Sequence, residues 1–367
     1  MSRRHYWLRR AGVLLLVPIL WLAWSIGGAL TAPGTGTAAA RLTKWGRLHG
    51  LGWVVSDTQY KSGPAKVAAR PAGKIPSVSP SRPGSSHPTR SAPSSYLAPP
   101  DPIPPQAQPA RPGEGYWQTL VSIHGQTAIR AAFLRPDAQF TSERVGVALL
   151  NQKLVKMVLH PGFTVPGGSG WSEPSQVPDS QRNSLLATFN SGFLMPAAQG
   201  GYWQDGTTAV PLRMGAASMV LYKDGHVDVV KWNMATPGPD VGAVRQNLTL
   251  LVDQGSITAE VASTSWGATL GNLTYVWRSA VGIREDGALV FVVGPSMSAK
   301  TLANIVHDAG AVRAMELDIN PSWTNFITYT HPSNGVAVPH MLTQDEQPNP
   351  FRYLQPSARD FVAVLAR

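Results

Sequence analysis

Residues 298–318 read SAKTLANIVHDAGAVRAMELD, and this stretch combines a helix and a strand within twenty-one positions. Ser298 has a side-chain oxygen able to cap a first helical turn, and Leu302, Ile305, Val306 and Ala309 recur on one apolar face. Gly310 follows at the position where a left-handed backbone ends a helix. From Val312 to Asp318 the pattern becomes that of a buried strand. Outward from here the chain is β-rich. Ala128 to Leu134, Val145 to Leu150, Leu154 to Leu159 and Leu185 to Phe189 read as strands, with Asn151-Gln152 as a hairpin tip. Asp224-Gly225 and Asp286-Gly287 each sit between apolar alternating runs, where Gly supplies the positive φ of a tight hairpin. The fold class expected is α+β, with a mixed, largely antiparallel sheet and few helices.

The N-terminal third has a different composition. Residues 1–10 are basic, with Arg3, Arg4, Arg9 and Arg10, and 11–32 form an apolar stretch long enough to span a bilayer as a signal anchor. Ala38-Ala39-Ala40 offers a cleavage site for the alternative, a removed signal peptide. Either way the C-terminal domain is expected outside the cytoplasm, held at the cell membrane by a single pass or secreted. Residues 33–60 read as a juxtamembrane segment. Residues 61–112 contain 14 prolines and few large apolar groups, the composition of a disordered linker. On this division residues 113–367 are the functional domain and should fold without the preceding 112.

Charge separates along the same boundaries. Residues 1–60 carry seven basic residues against Asp57, and residues 61–112 carry seven against Asp101. The remaining 17 basic and 19 acidic residues leave the domain at −2, so the net +10 of the chain belongs to its tail, and a nucleic-acid partner is not expected. With no cysteine, disulfides and thiolate metal sites are excluded. The sequence has no serine nucleophile elbow, Walker loop or zinc helix. His331 and His340 are too far apart to read as a metal pair. No cofactor or metal ligand is assigned, and a divalent-metal requirement is left open.

Three clusters remain as candidates for chemistry. In Ala314-Met315-Glu316-Leu317-Asp318, alternation puts Glu316 and Asp318 on one strand face, their Cα atoms roughly 6–7 Å apart, a spacing from which two carboxyls can cooperate in glycoside cleavage. From the spacing alone, a hydrated sheet face or a carboxylate that merely holds an arginine is the simpler account of the pattern. Ile319-Asn320-Pro321-Ser322-Trp323 follows, a polar turn ending in an aromatic. The second cluster is Asn190-Ser191-Gly192-Phe193, with small residues that allow close ligand approach, followed by Tyr202 and Trp203 as sugar-stacking candidates. The third is Arg278, which within an apolar strand must bind an anion or pair with Glu316 or Asp318.

Read in order, these clusters resemble the phosphodiester glycosidase domain family, whose activity removes N-acetylglucosamine from a sugar-phosphate diester. Asn190-Ser191-Gly192-Phe193-Leu194 resembles its N-G-G-F-F segment, and Leu250 to Gly255 is similar to its glycine-bounded strand. Arg278-Ser279-Ala280-Val281-Gly282 resembles R-T-A-I-G, Thr301-Leu302-Ala303 its threonine-leucine helix, and Gly310-Ala311 through Leu317-Asp318 its G-A-x-x-A-x-x-L-D. Where the family has three glycines and a serine after L-D, this chain has Ile319-Asn320-Pro321-Ser322, and Pro321 removes a backbone donor. With the N-terminal segments, the resemblance is to an envelope-anchored bacterial subgroup. It implies an extracytoplasmic hydrolase of a glycosyl-phosphate bond in a cell-wall glycopolymer or glycolipid, the alternative being a non-catalytic polysaccharide-binding module. Asn190, Arg278, Asp318 and Ser322 stand at matching positions, and Glu316 rests on the strand argument. On that reading Arg278 holds the phosphate, Asp318 acts at the anomeric carbon, and Glu316 assists. Asn190, Gly192, Asn320 and Ser322 line the sugar, and Trp323, Tyr202 and Trp203 are stacking surfaces.

Overall fold

The computed structural model describes residues 96–262, 266, 275–332 and 336–367. The anchor expected over 11–32, the juxtamembrane segment 33–60 and the linker up to residue 95 lie outside the described residues. Among those described, no helix is long and apolar enough to cross a membrane.

The architecture is sheet-dominated α+β, and every ladder among the described strands is antiparallel. One sheet runs β1 (Gln118–Ile123), β2 (Gln126–Leu134), β3 (Val145–Leu150), β14 (Leu289–Met297), β13 (Val276–Arg284), β15 (Ala311–Glu316), β11 (Leu250–Asp253) and β12 (Ser256–Ile257). A second runs β7 (Thr207–Val210), β6 (Tyr202–Gln204), β10 (Val241–Gln246), β8 (Ala217–Tyr222) and β9 (Val227–Lys231). The third runs β17 (Val338–Met341), β16 (Phe326–Thr330), β5 (Leu185–Asn190), β18 (Phe361–Ala366) and β4 (Val155–His160). Among the described residues the α-helices are few and short: α1 (Asp179–Arg182), α2 (Met195–Ala198) and one longer helix, α3 (Ala299–Asp308).

Alternation in the large sheet explains the layering. In β14, Leu289, Phe291 and Val293 join a core shared with β4, β5, β8, β9, β10 and β18, whereas Val290 and Val292 face the opposite side with α3. The large sheet is therefore apolar on both faces, as its near-continuous hydrophobic strands require. The α3 helix starts where expected, with Ser298 Oγ accepting from Thr301 N at 3.0 Å, and it ends at Gly310, φ +92°. Both Asp-Gly hairpins form, joining β8 to β9 and β13 to β14, with Gly225 at φ +85° and Gly287 at φ +78°.

The expected hairpin at Asn151-Gln152 does not form. β3 pairs with β2 and β14, whereas β4 pairs with β18 in another sheet, and the turn closed by Leu154 N donating to Asn151 O at 2.9 Å carries the chain between them. Both runs are almost wholly apolar, so neither contained the alternation that would have set a shared register.

The end of the Pro-rich segment is part of the domain. Ile103 is fully buried in the core on the α3 side, and its N–H donates to Gly115 O at 2.9 Å. Arg135 forms a buried ion pair with Glu114 at 2.8 Å and donates to the carbonyls of Ala107 at 2.8 Å and Pro109 at 2.7 Å. Residues 96–112 thus cover an apolar sheet face with a few anchoring contacts, although their proline content reads as linker. A chain starting at residue 96 is expected to melt cooperatively. A start at 113 removes Ile103 and two acceptors of Arg135, a loss of about 2–3 kcal/mol, and is expected to lower the melting temperature by about 4–12 °C in a calorimetric scan.

Candidate functional site

The three clusters picked from sequence meet where the C-terminal ends of β15 and β5 reach β13. Ser279 is the meeting point. Its N–H donates to Asp318 O at 2.9 Å, its carbonyl accepts from Leu317 N at 2.8 Å, and its Oγ accepts from Asp318 N at 3.1 Å. The same hydroxyl accepts from Asn190 Nδ2 at 2.9 Å, while Asn190 Oδ1 accepts from Asn325 N at 3.0 Å. Asn190 therefore ties the end of β5 both to β13 and to the segment after the Asn320 turn.

Asp318 lies just beyond the end of β15 and is 3% exposed. Its Oδ1 accepts from Ile319 N at 2.7 Å and Asn320 N at 2.8 Å, which closes the turn. Its Oδ2 lies 2.7 Å from Arg359 Nη2, an ion pair without hydrogen-bond alignment, so this oxygen counts among the unsatisfied ones. Burial pushes the carboxyl above the usual range, against Arg359 and the two turn amides, which pull it down. Arg359 also donates to Gly192 O at 2.6 Å, which brings the Asn190–Phe193 segment to Asp318.

Arg278 pairs with Glu316, the simpler of its two expected roles. The Nη1 contacts Glu316 Oε1 and donates to Trp266 O at 3.1 Å, and Nε donates to Met297 O at 2.8 Å. Glu316 is fully buried; burial raises its pKa, Arg278 opposes that, and Asp318 adds to it. Arg278 is thus committed to holding Glu316 rather than placed to hold a phosphate.

The aromatic assignments fare unevenly. Tyr202 is fully buried in the core, donating to Gln204 Oε1 at 2.7 Å, and offers no stacking surface. Trp203, its neighbour on the other face of β6, packs against the separate cluster of Val220, Trp232, Val241 and Val244. Trp323 is at the site, but the guanidiniums of Arg352 and Arg359 lie over its ring at 4.3 and 5.0 Å. Asn320 is spent on the turn, its Oδ1 accepting from Ser322 N at 2.9 Å, and Ser322 O accepts from Arg352 Nη1 at 2.8 Å.

The structure adds residues that sequence reading missed. Arg245 is wholly buried, its Nε 2.7 Å from Asp360 Oδ2, and it donates to the carbonyls of Phe193 and Gln246. A Cβ on Gly192 would meet Arg245 Cζ at 3.0 Å, tighter than an ordinary contact, so a side chain there would press on the buried guanidinium. Asn247 accepts from Phe193 N at 3.1 Å and donates to Glu316 O at 2.9 Å. The polar run Arg245-Gln246-Asn247 at a strand end was the available signal; Arg352, Arg359 and Asp360 reach the site only through long-range contacts.

Buried polar atoms without partners concentrate in this region: Glu316 Oε2, Asp318 Oδ2, Asp360 Oδ1, Ser191 Oγ, Thr324 Oγ1, Asn325 Oδ1 and Arg352 Nε. Native cores leave few such groups unpaired, so their concentration makes this region the candidate functional site. The described residues include no His, Asp and Glu grouping that could hold a metal ion.

Residues 183–342 match the phosphodiester glycosidase family. The match includes Asn190, Arg245, Arg278, Glu316 and Asp318, and it stops before Arg352, Arg359 and Asp360. It supports a glycosidase-type hydrolase. Among solved structures, the chain is similar to the zebrafish N-acetylglucosamine-1-phosphodiester alpha-N-acetylglucosaminidase catalytic domain auto-inhibited by its pro-peptide. Identity there is 16% over 68% of this chain and 87% of that one, with a TM-score of 0.43. It is also similar to a hypothetical protein from Synechocystis, at 13% identity over 67% of this chain and 63% of that one, with a TM-score of 0.35. No curated protein matches the sequence.

Two substitutions separate stability from function. Asp360→Asn leaves Arg245 buried without its counter-charge and is expected to cost about 3–5 kcal/mol in denaturant unfolding. Glu346 accepts from Phe326 N and Thr343 N, each at 2.8 Å, on the strand leaving the site, and burial raises its pKa to about 8. Folding therefore favours its protonated form. Its contribution is full below about pH 4.5 and is lost as pH rises through about 8. The stability of wild type minus that of Glu346→Gln should fall across this window by up to about 1.4 kcal/mol per pH unit.

Proposed function

We propose that the domain is an extracytoplasmic hydrolase that cleaves a glycosyl-phosphate bond in a cell-envelope glycopolymer or glycolipid. The observation that carries this reading is the concentration of unsatisfied buried polar atoms around Asp318 and Glu316, within the stretch that matches a glycosidase family. A phosphate diester is a good leaving group, so the site needs charge placement more than a strong general acid. Asp318 would act at the anomeric carbon. Its Oδ1 is fixed by two amides, and its Oδ2, in the Arg359 ion pair, is the oxygen available to the sugar. Glu316, oriented by Arg278, sets the local charge around Asp318. Asn190 and the Gly192 backbone shape the sugar side. The basic, apolar and Pro-rich N-terminal segments support placement at the membrane with the domain in the envelope.

The rival is a polysaccharide-binding module, favoured by one observation: Asp318 is almost fully buried, with Oδ1 held by two turn amides and Oδ2 in an ion pair with Arg359, as a structural carboxylate would be. Incubating the full chain with purified envelope fractions, with and without divalent metal, and following released products by mass spectrometry decides between them. Asp318→Asn is expected to cut turnover by orders of magnitude with little change in affinity, its melting temperature being followed in parallel. Wild-type protein that binds the polymer and releases nothing would leave only the binding module.

A further inference from the structure

The charges at this site do not balance. Arg278 pairs with Glu316, Arg359 with Asp318, and Arg245 with Asp360. Arg352 is a fourth guanidinium, and among the described residues no carboxylate lies within ion-pair distance of it. It is half-buried, held over the Trp323 ring at 4.3 Å and 5.3 Å from the Tyr353 ring, with Nη1 on Ser322 O and Nε buried without a partner. The groups that bear on it electrostatically are Tyr353, Arg359, Asp318 and Tyr329; burial lowers its pKa, and Arg359 adds to that effect. An arginine kept in such surroundings without a counter-ion is placed for an anion that arrives with a ligand.

The turn beside it points the same way. Ile319 N and Asn320 N donate to Asp318 Oδ1, Ser322 N to Asn320 Oδ1, and Trp323 N and Thr324 N to Asn320 O. Pro321 has no N–H. Each backbone donor from 319 to 324 therefore has an acceptor inside the turn, so an anion beside Asp318 must be met by a side chain. We propose that Arg352, stacked on Trp323, is the residue that binds the phosphate group of the substrate, a sugar phosphate ester. This rests on the hydrolase reading for the identity of the anion but makes its own prediction about binding.

The test is calorimetric titration of the full chain with N-acetylglucosamine 1-phosphate and, in parallel, with N-acetylglucosamine. Wild type is expected to bind the phosphorylated probe more tightly than the neutral sugar. Arg352→Gln is expected to weaken the phosphorylated probe by about tenfold or more, as loss of a charge-assisted contact does, and to leave the neutral sugar unchanged. Arg352→Lys keeps the charge without the planar fork and is expected to fall between; it decides the matter if the Gln variant does not fold. Equal affinity of wild type and both variants for the phosphorylated probe, equal losses for the two probes, or no phosphate preference in wild type would each overturn the proposal. Failure of the hydrolase reading looks different: Arg352-dependent phosphate binding with no product released from envelope fractions keeps this site and removes only the enzymatic step.

Discussion

Buried charge is the constraint on which the rest of this structure depends. Where the three sheets approach one another, the chain places Arg245, Arg278 and Arg359 against Asp360, Glu316 and Asp318. Each ion costs several kcal/mol to remove from water, and the pairs recover that only if their remaining atoms are also satisfied. Most of that satisfaction comes from main-chain carbonyls, those of Met297, Trp266, Gln246, Phe193 and Gly192, so the ends of several strands are positioned by the need to solvate guanidiniums. Ser279 and Asn190 do the same between the strand ends with neutral groups.

The satisfaction is incomplete, and the gaps fall at the carboxylates. Glu316 and Asp360 each retain one oxygen without a hydrogen bond, and Asp318 Oδ2 has only an unaligned ion pair. A core selected only for stability would replace such a network with apolar side chains of similar volume. Burial raises the carboxyls of Glu316 and Asp318 in spite of their arginines.

Local signals in the sequence carried the α3 helix, its Ser298 cap and both Asp-Gly hairpins, because each is decided within a few residues. They failed at Asn151-Gln152, where two largely apolar runs hold little register information and the partners lie in different sheets. At the site, Asn190, Arg278, Glu316 and Asp318 were legible because polar residues at the ends of apolar strands stand out. Which of the two carboxylates Arg278 meets was not, since that depends on β13–β15 register. Adjacent Tyr202 and Trp203 necessarily point to opposite faces of β6, so they could never have formed one stacking surface. Arg352, Arg359 and Asp360 follow a Pro- and Asn-rich loop and gain meaning only when β18 pairs between β4 and β5.

The distribution of charge differs between the domain as a whole and its centre. Residues 113–367 hold 17 basic against 19 acidic residues, so the domain has no long-range positive field. Its centre nevertheless has four guanidiniums for three carboxylates, an excess of one positive charge in surroundings of low polarity. Such an excess acts over a few ångströms and is weakly screened by salt. The positive charge in excess is the guanidinium of Arg352, which among the described residues has no carboxylate within ion-pair distance.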